Sequence, residues 1–288
     1  MSDGVLVIDK PAGMTSHDVV DRVRKTFKTK RVGHAGTLDP DATGVLVLGL
    51  GRATRLLAYA QTGRKTYEAT GVLGVSTTTL DAAGEVTAEE TVDVDRAQVD
   101  DVASRFVGEI EQVPPMVSAV KVDGERLYKK ARRGETVERP ARRVTIYELE
   151  IVDFRSPELD LLIGCSGGTY IRTLISDIGD ALGCGAHMKR LRRTEAGGFS
   201  ITDAVSLDGL GPEHLLPITA AVNQLDRLEI DADQAGRVAH GQKLELPGPL
   251  DVAEDQAIAL VRGSDLLAVY RRRQDLLVPD RVLAADGS

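Results

Sequence analysis

The feature that most constrains this fold is a series of short apolar runs, separated by turn signals, that follow one another with few helices between them. Runs at 5–8, 45–48, 65–73 and 159–165 have the length and composition of strands. The run at 144–154 is rich in β-branched residues but changes the phase of its alternation midway, which predicts a bulge. Because parallel strands need crossover helices, this order favours antiparallel pairing. The prediction is an α+β (mixed α/β) fold with a mainly antiparallel sheet flanked by helices.

Three segments have helical spacing instead. Ser16 is expected to cap a helix with apolar side chains at positions 19, 20, 23 and 27. Asp95 begins a second predicted helix, which runs to 107 and stops at Gly108. Thr169 is expected to cap a third, with apolar positions 171, 174, 175, 178 and 182 and an end at Gly183. Such amphipathic helices can cover one face of the sheet.

The C-terminal quarter has a different pattern. Residues 207–216 contain two glycines and a proline and are expected to lead out of the first domain. Beyond about residue 225, short apolar runs at 257–261, 266–269 and 276–278 alternate with turn signals, which indicates a small β-barrel or sandwich. A length of 288 residues also makes two domains the default. We therefore predict domains at 1–222 and 225–288.

The distribution of charge is more informative than its sum. A net charge of −8 taken alone argues against a nucleic-acid partner, because phosphate binding needs Lys and Arg at the surface. Residues 22–31, however, carry six basic side chains and no acidic one, and 121–143 carries nine basic against four acidic. Residues 189–193 form a compact third cluster. Any one cluster is as well explained by a solvated surface, but three on an acidic chain favour an anionic polymer as partner.

The sequence shows no membrane or export signal. No apolar run approaches the roughly 20 residues that span a bilayer. The first residues lack a basic segment followed by a long apolar stretch, so no signal or transit peptide is indicated. Cys165 and Cys184 have no second pair or His cluster nearby, which fits neither a zinc site nor a disulfide framework. A cytoplasmic location and no contact with membranes are therefore predicted.

The most unusual stretch is the loop around Asp39, at residues 31–44. Its glycines allow close approach of a ligand, and Pro40 biases Asp39 toward an extended backbone that presents the carboxylate. A polar turn, in which Asp39 and Asp41 satisfy backbone N–H groups, explains the same residues equally well. A chemical alternative is a Mg²⁺-dependent aspartyl-phosphate phosphatase, because residues 39–43 fit an Asp-x-Asp-x-Thr pattern. That pattern normally follows a buried strand, which 33–37 do not resemble.

Residues 31–44 closely resemble the active-site motif of the TruB family of tRNA pseudouridine-55 synthases. Five further blocks are similar to that family's other motifs and come in the same order, at 9–16, 65–69, 113–121, 167–174 and 183–188. Together the six blocks span about residues 4–195. The resemblance implies a pseudouridine synthase fold for 1–222, with 121–143 as an RNA-clasping insertion. More weakly, 225–288 resembles the PUA-like RNA-binding domain of the family.

The resemblance also implies an activity. A member of this family isomerises uridine-55 in the T-arm of tRNA to pseudouridine, breaking the bond between N1 and the ribose and rejoining the base through C5. Because neither redox change nor group transfer occurs, no cofactor and no metal are expected. Asp39 is the implied nucleophile, although attack on C1′ or C6 and a glycal route through the ribose all remain open. The implied partner is the T-arm stem-loop of tRNA, with no obligatory protein partner and a monomeric enzyme. A non-catalytic tRNA-binding or folding-assisting protein is the alternative from another class.

The resemblance assigns roles to further residues. Tyr67 would stack on a flipped uracil, Tyr170 would line its pocket, and Leu191 would form an apolar wall. Arg172 would lie beside Asp39 and, by lowering the pKa of that carboxyl group, keep it ionised at neutral pH. His34 would lie against the RNA and help to hold the flipped nucleotide. Without the resemblance, a half-buried tyrosine, a surface salt bridge and a loop histidine would be the ordinary explanations.

Overall fold

The computed structural model describes residues 3–116, 121–122, 125–126, 133, 135, 137–246 and 252–283. The α-helices in these ranges are α1 Ser16–Thr26, α2 Leu57–Thr62, α3 Arg96–Ser104, α4 Ile171–Ala181 and α5 Ala232–Ala239. The strands of the first part are β1 Gly4–Lys10, β2 Val32–Ala35, β3 Thr43–Leu50, β4 Lys65–Leu73, β5 Val75–Thr77, β6 Val86–Glu89, β7 Gly108–Gln112, β8 Lys121–Val122, β9 Glu125–Arg126, β10 Arg142–Arg155, β11 Glu158–Cys165, β12 Ala186–Ala196 and β13 Phe199–Ser200. They are followed by β14 Asp226–Glu229, β15 Leu244–Glu245, β16 Ala257–Arg262, β17 Asp265–Arg273 and β18 Leu276–Val282.

Nine of the described strands form one sheet, whose main path runs β1-β3-β12-β4-β11-β10-β7, with β2 on β3 and β13 on β12. Every pairing in it is antiparallel except the short contact between β12 and β3. The predicted mixed fold with a mainly antiparallel sheet is therefore confirmed. The predicted bulge is present as well, since the pairing of β10 with β11 shifts register twice.

Helices pack on the sheet through their apolar faces. Ile171, Leu174, Ile175 and Ile178 of α4 are buried in one cluster with residues of β4, β11 and α3. Val19, Val20 and Val23 of α1 are buried in a second cluster against β1 and β3. Burying each such side chain contributes about 1.5–3 kcal/mol, so these faces fix where both helices lie. Residues of both helices contact the loop between β2 and β3, Ser16 of α1 at Leu38 and Arg172 of α4 at Asp39.

Two predicted helix caps are wrong by one residue. The N-cap of α1 is Thr15, whose hydroxyl accepts the Asp18 N–H while the Asp18 carboxylate accepts the Thr15 N–H. Tyr170 is the N-cap of α4 without a side-chain bond, and the Thr169 hydroxyl donates to the Ser166 carbonyl instead. Asp95 caps α3 as predicted, but α3 ends at Ser104 because the chain turns to begin β7 at Gly108.

Several strands were missed by sequence reasoning. Strand β2 lies inside the segment predicted to be loop, and β7 and β12 were not predicted at all. The basic cluster at 189–193 belongs to β12, so its side chains cannot all face one surface. Arg193 is 1% exposed, whereas Lys189 and Arg190 are exposed. The interpretation of this cluster as one basic surface is therefore corrected.

Five of the described strands form a second sheet in the order β14-β16-β17-β18-β15. Its strands cover the runs predicted at 257–261, 266–269 and 276–278. Strands β14 and β15 end this order without pairing to each other in the described part, so a closed barrel is not confirmed. Its apolar side chains join those of the first sheet, as Ala259 and Val269 share one buried cluster with Val5 and Val47.

Other predictions have mixed outcomes. Cys165 and Cys184 are both buried and free. None of the helices within the described ranges is long and apolar enough to cross a bilayer. Ten of the 23 residues of the predicted insertion at 121–143 lie outside the described residues, and its role stays a prediction. The proposed division at 222–225 falls between the 3-10 helix Ile218–Val222 and β14, and the division into domains stays a prediction.

Candidate active site

The loop that carries Asp39 joins β2 to β3 and is held by residues near the start of α1. Ser16 is 2% exposed; its hydroxyl accepts the Leu38 N–H at 2.9 Å and donates to the Leu38 carbonyl at 3.2 Å. Since the hydroxyl satisfies both backbone groups of one buried residue, it fixes the peptide that precedes Asp39. Ser16 therefore acts on the loop rather than on its own helix.

Lys10 fixes the other side of Asp39. Its ammonium group donates to the carbonyls of Pro40 at 2.8 Å, Pro11 at 2.8 Å and Met14 at 2.6 Å, which matches its three hydrogens. The side chain is fully buried, and burial lowers the pKa of Lys10 to about 8, with Asp41 and Asp39 opposing. The ammonium form is thus the main form at neutral pH, and it holds the Pro40 peptide in place.

A buried arginine joins Asp39 to a second carboxylate. Arg172 is 4% exposed on α4, with its Nε 3.0 Å from Asp39 Oδ2 and its Nη2 donating to Asp39 Oδ1 at 3.2 Å. Its Nη1 donates to Asp81 Oδ2 at 3.2 Å and to the Thr79 carbonyl at 3.0 Å. The planar guanidinium group therefore sets the orientation of both oxygens of Asp39.

The pKa of Asp39 is raised from its ordinary value, and burial is the largest cause. Arg172 and Lys10 lower it, while Asp81 and Asp41 raise it. The sequence-based expectation was a lowered pKa. Arg172 acts in the expected direction, but desolvation of the carboxylate outweighs it. The side chain is nevertheless 38% exposed, so Asp39 remains accessible from the cavity in front of it.

That cavity has a volume of about 390 Å³ and contains most of the predicted site. Asp39, Tyr67, Tyr170, Arg172 and Leu191 all line it. Tyr67 is 6% exposed and burial raises its pKa, so its hydroxyl stays protonated at neutral pH. His34 lies on β2, partly exposed, and is not part of the lining. The structure thus brings five of the six predicted residues together.

Sequence reasoning missed three residues of this site. Asp81 holds Arg172 from the side opposite Asp39. Arg193 donates to the Val45 carbonyl at 2.8 Å and the Gly36 carbonyl at 3.1 Å, which anchors the start of the loop. Lys65 lines the cavity, and burial lowers its pKa to about 8. Arg193 and Lys65 reach the cavity through the pairing of β12 with β3 and β4, whereas Asp81, between β5 and β6, meets Arg172 beside its bridge to Met188 of β12.

The site does not resemble the phosphatase alternative. Asp39 is paired with Arg172, and Asp41 is exposed. In the described part of the chain, no three His, Cys, Asp or Glu side chains come close enough to hold a metal ion. A displayed carboxylate facing a cavity with two tyrosines is better suited to chemistry on a flat ring.

Two family models together match residues 24–232 of the chain. The TruB family pseudouridylate synthase N-terminal domain matches residues 24–171, and the tRNA pseudouridylate synthase B C-terminal domain matches 172–232. The chain belongs to the TruB family. It is therefore an enzyme of the pseudouridine synthase class, an isomerase.

Known proteins of this family align over most of the chain. A tRNA pseudouridine synthase B from Burkholderia lata is 43% identical over 98% of this chain and 90% of its own length. One from Thermobifida fusca is 49% identical over 86% of this chain and 88% of its own. Among solved structures, a Cbf5-Nop10-Gar1 complex superposes with a TM-score of 0.77 at 29% identity, covering 97% of this chain and 84% of that chain. An H/ACA RNP bound to a substrate RNA containing 2′-deoxyuridine gives 0.76 at 26% identity, covering 98% and 85%.

Proposed function

We propose that this TruB-family enzyme isomerises uridine-55 in the T-arm of tRNA to pseudouridine, with Asp39 as the catalytic nucleophile. The observation that carries the proposal is the Asp39 carboxylate, held in both oxygens by buried Arg172 and open to a cavity with Tyr67 and Tyr170. Relatives that align over nearly the whole chain are tRNA pseudouridine synthases, which supports tRNA as the substrate.

The reaction requires one well-placed carboxylate. The bond between N1 and C1′ must break, the uracil must turn, and a bond from C5 to C1′ must form, after which C5 loses its hydrogen as a proton and N1 takes up a proton. An ionised Asp39 can attack C1′ or C6, or remove a proton from the ribose in a glycal route. We favour the nucleophilic role, since the clamps on Leu38 and Pro40 leave the carboxylate little freedom to move away from a bound nucleotide.

A uracil within a folded arm must leave its stack to reach Asp39. We propose that Tyr67 stacks on the flipped base, that Tyr170 lines its pocket, and that Leu191 forms an apolar wall. His34, outside this cavity, would contact the RNA and stabilise the flipped state. Arg172 would keep Asp39 oriented, and Asp81 would in turn hold Arg172. Tyr67, Tyr170 and Leu191 share the cavity with Asp39, which supports this division of roles.

The rest of the chain would hold the tRNA. We propose that residues 1–222 form the catalytic domain, that 121–143 clasps the T-arm, and that 225–288 is a PUA-type domain for the acceptor side. The open sheet of β14 to β18 supports a separate unit at this position, whereas the C-terminal family-model match at 172–232 overlaps it only at 225–232. A monomer that works in the cytoplasm without cofactor or obligatory protein partner completes the proposal.

The test is release of tritium from tRNA carrying C5-tritiated uridine, with mapping of the product position. We expect release by the purified protein, unaffected by EDTA, and a single pseudouridine at position 55. Pseudouridine at a different position would show that uridine-55 is not the target. Absence of tritium release would refute the proposed activity. Hydrolysis of a phosphomonoester that EDTA abolishes would support the phosphatase instead. A binding protein that assists tRNA folding predicts no release, although folding assistance can coexist with isomerisation.

A further inference from the structure

Gln112 is a buried polar side chain whose hydrogen bonds all go to one residue of the cavity. It is 2% exposed at the end of β7, the edge strand of the large sheet. Its Oε1 accepts the Tyr170 N–H at 3.0 Å, and its Nε2 donates to the Tyr170 carbonyl at 3.3 Å. A backbone N–H only donates and a carbonyl only accepts, so these partners fix which way the amide points.

The backbone that Gln112 holds is the start of α4, where the Tyr170 carbonyl also accepts the Leu174 N–H at 3.1 Å. Tyr170 is the N-cap of α4, and no side chain caps that helix. Gly168, two residues earlier, has a φ of +89° and an open space around it, so the approach to α4 has conformational freedom. Two residues beyond Tyr170 comes Arg172, the partner of Asp39. The amide of Gln112 therefore sets where the first turn of α4 begins.

Gln112 also stands where the chain leaves the sheet for the segment between β7 and β10. In the ladder of these two strands its Cα pairs with Arg142, which lines the same cavity. Close by, the Arg139 guanidinium group donates to the Pro114 carbonyl at 2.8 Å and joins the two ends of that segment. Gln112 therefore links the backbone of Tyr170 to the base of the proposed RNA-clasping insertion.

We propose that Gln112 is a positioning residue for the reaction. It acts through the backbone of Tyr170 and keeps that tyrosine and the start of α4 in register with Asp39. The inference rests on the proposed function, because Tyr170 is taken to line the pocket of the flipped base. Loss of the amide should lower kcat in tritium release and leave tRNA affinity nearly unchanged, since Gln112 is buried and contacts no RNA.

The variant Gln112→Glu tests this through pH. A protonated carboxyl group has one donor and one acceptor and can replace the amide, whereas the ionised form cannot donate and repels the Tyr170 carbonyl. Burial raises the pKa of a carboxyl group, so a pH series from 5.5 to 8.5 covers both forms. We expect kcat relative to wild type to be within about threefold at pH 5.5 and reduced about tenfold or more at pH 8.5.

The matched control is Gln98→Glu. Gln98 is exposed, accepts the Asp95 N–H in the cap of α3, and keeps that acceptor as glutamate, so its kcat ratio should be flat with pH. A flat ratio for Gln112→Glu would overturn the inference. If Gln112→Glu does not fold, Gln112→Met, which keeps the volume without donor or acceptor, decides: undiminished kcat overturns the inference, and reduced kcat with unchanged tRNA affinity supports it. Wild-type protein that releases no tritium would instead refute the proposed function, and the inference with it.

Discussion

The Asp39 carboxylate is positioned by neighbours on three sides. The Ser16 hydroxyl holds the peptide before it, the Lys10 ammonium holds the Pro40 carbonyl after it, and Arg172 pairs with its oxygens. Each contact satisfies a group that would be costly to leave buried and unbonded, at about 1–3 kcal/mol. An arrangement of this kind restricts the loop before substrate binds, which is what the proposed role of Asp39 as nucleophile requires.

Lys10 should make stability depend on pH with a defined sign. Its pKa of about 8 in the folded protein lies below the ordinary 10.5, so between these values the unfolded chain binds more protons. Its contribution to stability is present above pH 10.5 and is lost as pH falls through 8. Relative to Lys10→Met, wild type should therefore gain about 2 kcal/mol in free energy of unfolding from pH 8 to pH 10. Urea titrations at both values measure it. Subtracting the free energy of unfolding of Lys10→Met from that of wild type cancels the contributions of the other titrating groups. If the two proteins showed parallel dependences of stability on pH, the prediction would be contradicted.

The strands that sequence reasoning found carry their apolar side chains in a run or in alternation. Strand β4 was predicted with its observed bounds, and β11 to within one residue. In β4 the alternating Tyr67, Ala69 and Leu73 are buried in one cluster. Strand β12 was missed since its middle, at 189–193, is mostly charged; Arg193 is buried only because β3 and β4 flank it. The cap of α1 was predicted one residue late, because the hydroxyl groups of Thr15 and Ser16 both fit the capping rule. The cap of α4 was predicted one residue early, because the hydroxyl group of Thr169 bonds to the Ser166 carbonyl and no side chain caps that helix.

Where β3 pairs with β12, there is no room for a side chain at Gly44. Its φ is +100°, and an added Cβ would overlap the carbonyl oxygen of Arg193 on β12. Gly44→Ala should thus lower the free energy of unfolding by about 3 kcal/mol or more, combining backbone strain with overpacking. Gly209→Ala is the matched control, with a φ of +77° and open space, and should cost about 1 kcal/mol. Equal losses in urea unfolding would show that the contact is not what requires glycine.

On the scale of the whole molecule, the two sheets share one apolar cluster rather than meeting through a polar surface. Ala259 and Val269 of the second sheet are buried with Val5 and Val47 of the first. A hydrogen bond from the Tyr59 hydroxyl to Asp280 at 2.8 Å joins the same two parts. Although two domains were predicted from the change in sequence pattern, a shared core of this kind favours unfolding as one unit.

The variant Val269→Ala tests that cooperativity. Val269 is fully buried where the sheets meet, so the cavity left by its truncation should lower the free energy of unfolding by about 2–3 kcal/mol. Calorimetry should show a single transition, shifted as a whole to lower temperature. Leu276→Ala, at a residue 37% exposed, should change stability by about 0.5 kcal/mol or less. A second transition that appears only in Val269→Ala would contradict the single unit.

How much of the site could be predicted follows from what local sequence contains. Asp39 on its glycine-containing loop was identifiable as a displayed carboxylate, and resemblance supplied Tyr67, Tyr170, Arg172 and Leu191. Asp81 and Gln112 could not be found this way, because each lies far along the chain from its partner and reaches it only through the fold. The direction of the Asp39 pKa was also beyond sequence, since burial depends on the packed loop.

The most direct test of the central claim compares Asp39→Asn with Asp41→Asn in tritium release from tRNA carrying C5-tritiated uridine. Asp41 lies on the same loop, two residues away, and is exposed, so its variant controls for loss of one negative charge. We predict that Asp39→Asn lowers release by at least about a thousandfold, with folding and tRNA binding retained, while Asp41→Asn stays within about threefold of wild type. Undiminished release by folded Asp39→Asn would remove Asp39 from the chemistry.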